Sequence, residues 1–129
     1  MYRRALAGSA LLATLATLAL AFTGPAQADD NDKKLALTVS RLGGMSGTSL
    51  ECPADSRAHH PHAAQACEAL DAAGGDFDQL QHQDSACVLL FDPITVTARG
   101  IYNQRVIQWQ HTYGNECQMR AATGEMFVF

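Results

Sequence analysis

Apolar and polar residues alternate in several short runs, which is typical of half-buried strands. The first run, LALTVSR at residues 35–41, places Leu, Leu and Val at alternating positions. The motif GGMSG should turn the chain, and TSLEC is predicted as a second strand that ends at Cys52. After Pro93, the run ITVTARGIYNQRVIQWQHTY alternates again, and Gly100 near its middle predicts a hairpin. The terminal EMFVF is predicted as the last strand.

Apolar positions at three- and four-residue spacing predict one helix. It should begin near Pro61, which suits a first helical turn, and end at Gly74 and Gly75. Its apolar positions are Ala63, Ala66, Cys67, Leu70 and Ala73. Asp76 is expected to cap a shorter segment whose Phe77 belongs to the core. Strands outnumber helices and connections are short, so the predicted fold class is α+β, an antiparallel sheet with one or two helices on one face.

One apolar run does not fit this series of elements. The sequence CVLLFDP at residues 87–93 holds four apolar residues between a cysteine and Asp92-Pro93. Pro93 would remove a ladder hydrogen bond from a strand, so the next strand should start after it. Four residues are too few to pack a core by themselves. Two alternatives stay open: the run is buried core, or it is an extended bait that an endopeptidase cleft binds as an added strand.

The first 28 residues have the pattern of a secretory signal. Two arginines precede an apolar stretch over residues 10–22, and the small-residue triplet AQA ends at Ala28. A membrane anchor is the alternative, but the uninterrupted apolar part is short for one. We therefore expect cleavage after Ala28, a flexible arm over residues 29–34 and one domain over residues 35–129, secreted to the extracellular space.

Charge and cysteine content narrow the choice of partner and compartment. Without its signal, the chain holds seven basic and thirteen acidic side chains, a formal net charge of −6. This charge disfavours nucleic acid and, after signal cleavage, an anionic membrane as partners. Four cysteines in a secreted chain predict two disulfides, and the sequence alone leaves three pairings open. A zinc site is disfavoured because no Cys-x-x-Cys pair occurs.

Two other functions have weaker support. GGMSGTS is a near miss of the Gly-x-Ser-x-Gly elbow of hydrolases, with Thr48 in place of the second glycine. We predict that the protein is not an enzyme, because a chain this short cannot easily house such a fold. The alternative function is a small metal-binding or structural module that uses His59, His60 and His62. Adjacent histidines before a proline more often form a solvated loop, so neither a metal nor a cofactor is predicted.

Five stretches of the chain match one known family. They are LTV in the first strand, ACEALDAAGGDFDQL at residues 66–80, CVLLFDPITVTARGIY at residues 87–102, NEC followed by Met119, and the terminal FVF. The Cys-x-x-x-Phe-Asp-Pro element within the third stretch is specific. On these residues, the chain from Leu35 onward resembles the subtilisin inhibitor-like family.

The resemblance implies a fold and an assembly. The family has a five-stranded antiparallel sheet with two helices on one face, and disulfides that would join Cys52 to Cys67 and Cys87 to Cys117. It also implies a homodimer formed through the sheets. The apolar and aromatic alternation at residues 106–109 agrees with such a dimer.

The resemblance further implies an activity, the inhibition of extracellular serine proteases of the subtilisin type; the apolar side chain of Leu89 should also be tolerated by chymotrypsin-like enzymes. The reactive bond is then Leu89–Leu90, and Leu89 takes the primary-specificity role. The residues expected to contact the protease beside this bond are Cys87, Val88, Phe91 and Asp92. The residues expected to support the loop are Asn115, Cys117 and Pro93.

Overall fold

A computed structural model describes Gly24 and residues 33–129 of the chain. The predicted signal over residues 1–28, apart from Gly24, lies outside these described residues. The elements are β1 (Lys33–Arg41), β2 (Gly44–Glu51), α1 (Ala63–Ala72), a 3₁₀ turn (Phe77–Gln79), β3 (Ile94–Tyr102), β4 (Arg105–Tyr113) and α2 (Glu116–Thr123). The predicted α+β class is confirmed.

The strands form one antiparallel sheet in the order β2-β1-β3-β4. Ser40, near the end of β1, pairs with Thr95 near the start of β3. At the start of β3, Ile94 pairs with Tyr113, the last residue of β4. The end of β1, the start of β3 and the end of β4 therefore lie together. We call this edge of the sheet, which holds Arg41, Ile94 and Tyr113, the loop end.

One face of the sheet carries the core, and both helices pack on it. In β1, Leu35, Leu37 and Val39 are buried and the residues between them are not, which confirms the predicted alternation. Burying each side chain of this size contributes about 1.5–3 kcal/mol. The buried residues that complete this core from β3, the two helices and the 3₁₀ turn include Ile94, Val96, Ala98, Tyr102, Ala63, Ala66, Leu70, Met119 and, as predicted, Phe77.

Within residues 33–129, the sheet has four strands rather than the five that the family resemblance implies. The terminal EMFVF, predicted as a strand, forms turns and irregular backbone. Met126 and Phe127 are both buried although they are consecutive. A strand with one solvated face buries every second residue, so this pattern does not fit a half-buried strand. These two side chains instead fill the core between the sheet and the helices.

The β3–β4 hairpin turns at Asn103 and Gln104 rather than at Gly100. Both turn residues have positive φ, 48° and 64°, as two-residue hairpin turns of the primed type require. Gly100 lies within β3, where a Cβ would collide with the carbonyl oxygen of Lys34. The glycine therefore permits close approach of β1 and β3 and does not make the turn.

Other predicted boundaries also shift. The first turn consists of Leu42 and Gly43 alone, and β2 already begins at Gly44. α1 begins at Ala63, two residues after Pro61. The cap predicted at Asp76 is confirmed, because its carboxylate accepts a hydrogen bond of 2.9 Å from the Asp78 backbone. Among the described residues, no helix has the length and apolar character needed to cross a membrane.

The reading of single elements missed α2, although the family resemblance implies a second helix. Asn115 is its N-cap and accepts a hydrogen bond from the backbone N–H of Gln118 at 2.9 Å. Asparagine followed three residues later by glutamine is a recognised start signal for a helix. This signal was present in the sequence and would have located α2.

Candidate functional site

The apolar run at residues 88–91 lies in an irregular segment between the 3₁₀ turn and β3. We call residues 85–93 the apolar loop. All four side chains of the run project into solvent, and Leu89 is 92% exposed. The alternative that the run is buried core is therefore wrong. β3 begins at Ile94, directly after Pro93, as predicted.

Asn115 fixes the backbone of the apolar loop on both sides of Leu89. Its side-chain amide nitrogen Nδ2 donates to the carbonyl oxygen of Val88 at 3.1 Å and to that of Leu90 at 2.9 Å. Asn115 itself is buried. The backbone N–H of Asp92 donates to the carbonyl oxygen of Gly114 at 2.8 Å. The backbone of the four exposed apolar residues is thus held by hydrogen bonds to Asn115 and Gly114.

The orientation of the Asn115 amide follows from its place at the start of α2. Its oxygen Oδ1 accepts the hydrogen bond from the Gln118 backbone, so Nδ2 must face the loop. Gln118 returns a bond through its side chain, whose Oε1 accepts from the Gly114 backbone at 3.1 Å. Sequence reasoning did not select Gly114 or Gln118. The capping pattern described above is the signal that would have found them.

Two disulfides cross-link the domain, Cys52–Cys67 and Cys87–Cys117. The second bond ties the start of the apolar loop to the first turn of α2, two residues from Asn115. The loop is therefore attached to the same helical turn by a covalent bond and by hydrogen bonds. Cys52–Cys67 joins the end of β2 to α1 and belongs to the core. None of the four cysteines, all of which lie in the described part of the chain, is free.

Comparison with known proteins identifies the family. The sequence profile described as "Subtilisin inhibitor-like" matches residues 18–115. The chain belongs to the subtilisin inhibitor-like family. It is 36% identical to subtilisin inhibitor-like protein 4 of Streptomyces lavendulae over 103 residues, which cover 74% of this chain and 88% of the relative. It is 39% identical to a subtilase-type protease inhibitor of Streptomyces fradiae over 83 residues, 63% of this chain and 58% of the relative.

A solved structure supports the same assignment. The fold is similar to that of sermetstatin from Streptomyces caespitosus, crystallised in complex with Bacillus licheniformis subtilisin. The TM-score is 0.59 at 31% sequence identity, and the match covers 74% of this chain and 97% of that one. The relatives are named protease inhibitors, so the predictions of a protease inhibitor and of a protein that is not an enzyme are confirmed.

The histidine segment of this family member does not form a three-histidine ligand set. His60 is 2% exposed, and its Nε2 lies 2.8 Å from the carbonyl oxygen of Met126. Its Nδ1 accepts from the His62 backbone at 3.0 Å, so Nε2 carries the proton and donates. Burial lowers the pKa of His60, which favours this neutral form. Within the described residues, no group of three or more histidine, cysteine or acidic side chains is placed to hold a metal ion.

The alternating residues of β4 divide between the two faces of the sheet. Ile107 and Trp109 pack against the core, where Trp109 stacks on Phe77 and donates to Asp78 at 2.8 Å. Val106, which precedes them in β4, projects from the outer face instead and is 73% exposed. The aromatic part of the predicted dimer surface is therefore core.

Tyr113 ends β4 at the loop end, beside the start of β3. Its ring lies against that of His111, with 4.4 Å between the ring centroids. Burial raises the pKa of Tyr113, and the charge of Asp78 raises it further. The phenol, which is neutral at neutral pH in any case, becomes still harder to ionise.

The near miss of a hydrolase elbow is also explained. Its residues form the β1–β2 turn and the edge strand β2, and no helix follows them directly. A nucleophile elbow needs a sharp turn from a strand into a helix. The segment therefore has the geometry of an ordinary hairpin.

Proposed function

We propose that this protein inhibits subtilisin-type serine proteases in the manner of a substrate, with Leu89–Leu90 as the reactive bond. One observation carries the proposal: Leu89 is exposed to solvent while Asn115 holds the carbonyl groups before and after it. A solvent-exposed segment whose backbone is held in this way can enter a protease cleft as an added strand. Leu89 would then fill the primary-specificity pocket, with Cys87 and Val88 on one side and Leu90, Phe91 and Asp92 on the other.

The same contacts explain why such a bond would resist turnover. If the serine nucleophile opened the Leu89–Leu90 bond, the Leu89 side would remain attached through Cys87–Cys117 and through the Val88 carbonyl. The Leu90 side would remain attached through its own carbonyl and through Asp92. The new amine would stay beside the acyl group because every one of these anchors lies at the start of α2. Religation then competes with hydrolysis.

Preorganisation also favours tight binding. A flexible peptide loses conformational freedom when it enters a cleft, at about 1–2 kcal/mol for each residue whose backbone becomes fixed. The apolar loop is already held in one conformation by Asn115, Pro93 and the Cys87–Cys117 disulfide. A standard interface of about 1,600 Å² can then reach nanomolar affinity or better.

The choice of subtilisin-type proteases rests on the solved relative and on the chemistry of Leu89. Sermetstatin was crystallised with a subtilisin, and its chain is 31% identical to this one. An uncharged apolar side chain that is not branched at Cβ suits an open apolar pocket. Chymotrypsin-like enzymes should tolerate it. In a pocket that contains a buried carboxylate, leucine would leave the carboxylate without a partner.

We also propose that the protein is secreted and acts as a dimer. The signal pattern of residues 1–28 supports export, and intact-mass measurement of secreted protein should show a chain that starts at Asp29. Support for the dimer comes from the family resemblance and from the outer face of the sheet, which neither of the two described helices covers. This face includes the paired hydroxyls of Thr38 and Thr97 and the exposed Val106.

Titration against subtilisin, chymotrypsin and trypsin, side by side, tests the proposed function. The expected order of affinity is subtilisin first, chymotrypsin weaker and trypsin weakest. Prolonged incubation with subtilisin, followed by mass spectrometry, should locate any slow cleavage at Leu89–Leu90. Failure to inhibit subtilisin would overturn the proposed function, and cleavage at another bond of the loop would move the reactive bond.

A further inference from the structure

Two large apolar residues at the β1–β2 turn are exposed for no reason that the fold supplies. Leu42 is 100% exposed and Met45 is 74% exposed. Gly43 provides the positive φ of 101° that the turn needs, so position 42 has no requirement for an apolar side chain. Met45 points to the outer face of the edge strand β2, opposite Ser40. Exposed apolar side chains that are adjacent in space often mark a binding surface.

The strand register places this turn at the loop end of the sheet, where β3 emerges from the apolar loop. Ser40 pairs with Thr95, which lies two residues after Pro93. Arg41 reaches across this end to α2, and its guanidinium lies 2.9 Å from the Glu116 carboxylate. Glu116 stands between Asn115 and Cys117, the two residues that hold the apolar loop. The β1–β2 turn is thus linked, through the ion pair of Arg41 and Glu116, to the first turn of α2, which holds the apolar loop.

We propose that Leu42 and Met45 form a second contact with the same protease that the apolar loop binds. This inference rests on the proposed function. A standard interface buries about 800 Å² on each partner. An interface of this size involves about 20–30 residues on each side, more than the nine residues of the apolar loop can supply. The remaining contact must come from neighbouring surface at the loop end.

The chemistry of the two residues suits such a contact. Leu and Met side chains that become buried against any apolar part of the protease rim contribute favourable free energy. Methionine is flexible and polarizable, so it adapts to a surface that it does not match closely. Contacts at this distance from the reactive bond belong to the periphery of the interface, where each residue contributes modestly.

Inhibition constants of a double variant test the contact. Leu42→Ser combined with Met45→Ser should weaken inhibition of subtilisin by about tenfold, equivalent to about 1.4 kcal/mol, with an unchanged thermal unfolding midpoint. The matched control is Val106→Thr, which alters an exposed apolar residue at the opposite end of the sheet and should leave the inhibition constant unchanged. Equal inhibition by the double variant and the unaltered protein would overturn the second contact while leaving the proposed function intact.

Amide hydrogen exchange provides an independent measurement without any substitution. In complex with subtilisin, exchange should slow at residues 42–45 as well as at residues 88–91. Slowing at residues 88–91 alone would overturn the second contact. Slowing at residues 42–45 in the free protein, increasing with its concentration, would assign this surface to a second copy of the chain and would also overturn it. If the unaltered protein did not inhibit subtilisin at all, the proposed function would fail and the second contact with it.

Discussion

At the scale of single residues, the proposed reactive bond makes Leu89 the residue that should decide which proteases the loop can enter. Trypsin-like enzymes place a buried carboxylate in the primary-specificity pocket, and leucine leaves that charge unpaired. Leu89→Lys should therefore tighten binding to trypsin by about two to three orders of magnitude, the equivalent of a charged hydrogen bond plus relief of the unpaired group. Parallel inhibition assays against subtilisin and trypsin measure the change.

A lysine elsewhere serves as the control for this substitution. Phe77 is buried in the core, so Phe77→Lys should damage folding and should not redirect specificity. An unaltered inhibition profile in Leu89→Lys, together with a shift caused by a change at another loop residue, would mean that the reactive bond is misplaced.

Asn115 has two roles that one substitution can separate. Its oxygen caps α2 and its nitrogen braces the apolar loop. Asn115→Asp keeps the cap, because aspartate is as good an N-cap as asparagine. It removes both donors and sets a carboxylate against two carbonyl oxygens. Inhibition should weaken by about 10- to 100-fold, and subtilisin should cleave the loop, while the unfolding midpoint stays within a few degrees of its original value.

Asn115→Ala is the companion variant because it removes both roles at once. It should lose about 1 kcal/mol of stability from the cap in addition to the inhibitory defect. Undiminished inhibition by Asn115→Asp would show that the disulfide alone suffices to hold the loop.

At the scale of elements, the two disulfides serve different parts of the molecule. Each bond, with sequence separations of 15 and 30, contributes about 3–4 kcal/mol in the chain-entropy model. Replacing Cys87 and Cys117 with serine should convert the inhibitor into a substrate that is cut at Leu89–Leu90. Replacing Cys52 and Cys67 should lower stability by a similar amount but preserve inhibition. Assays at low temperature, with folding checked by circular dichroism, compare the two; equal inhibitory loss in both would contradict this division.

His60 connects the segment after β2 to the C-terminal segment and makes stability depend on pH. Burial holds its pKa below 6.5 in the folded protein, and the charge of His62 lowers the pKa further. The hydrogen bond to the Met126 carbonyl and the charge of Glu125 act in the opposite direction. Below pH 6.5 the unfolded chain therefore binds a proton more readily than the folded one. The free energy of unfolding should therefore decrease as the pH is lowered below 6.5, by up to about 1.4 kcal/mol per pH unit. The decrease should end once the pH lies below the pKa of His60 in the folded protein.

Thermal unfolding between pH 7.5 and pH 5 measures this dependence. His60→Gln should flatten the slope in that range, whatever its effect on stability at pH 7.5. His59→Gln is the control, because His59 is exposed and lies next to the same site. The idea fails if the slope of His60→Gln matches that of the unaltered protein.

The elements that could be predicted from the sequence are those with a simple period. β1 alternates because one face is buried, and α1 places small apolar residues on one side. The C-terminal segment was wrongly predicted as a strand. Its backbone is irregular, so the burial of Met126 and Phe127 follows no strand period. The turn at Asn103 was missed because Gly100 is the stronger local signal, although tertiary contact with β1 explains that glycine.

For the candidate site, the sequence indicated the loop but could not decide its exposure. Periodicity does not distinguish a short buried run from an exposed one. Pro93 bounded the loop correctly. Gln118 and Gly114 act through hydrogen bonds around the start of α2. Because α2 was not located from the sequence, these two residues could not be placed beside the loop.

At the scale of the whole molecule, the apolar loop and the open face of the sheet are separate surfaces. The loop is attached to the start of α2, whose helix packs on the buried face. The opposite face carries partly exposed threonines and exposed glutamines, and in the described part of the chain no layer covers it. Two copies could therefore join through the centre of their outer faces without covering either loop or Met45, which lies on the outer face at the loop end, so each dimer should bind two protease molecules.

Thr97 lies near the centre of this outer face, between Thr38 and Gln110, and provides the test of the dimer. Thr97→Lys would place two like charges in a symmetric interface, because a two-fold axis brings the same patch of each copy together. Sedimentation velocity at micromolar concentration should then show monomer in place of dimer, while inhibition per chain stays unchanged. Gln65→Lys adds the same charge on an exposed position of α1 and should leave the dimer intact. Monomer in the unaltered protein would refute the dimer, and a loss of inhibition with Thr97→Lys would mean that the two surfaces are not separate.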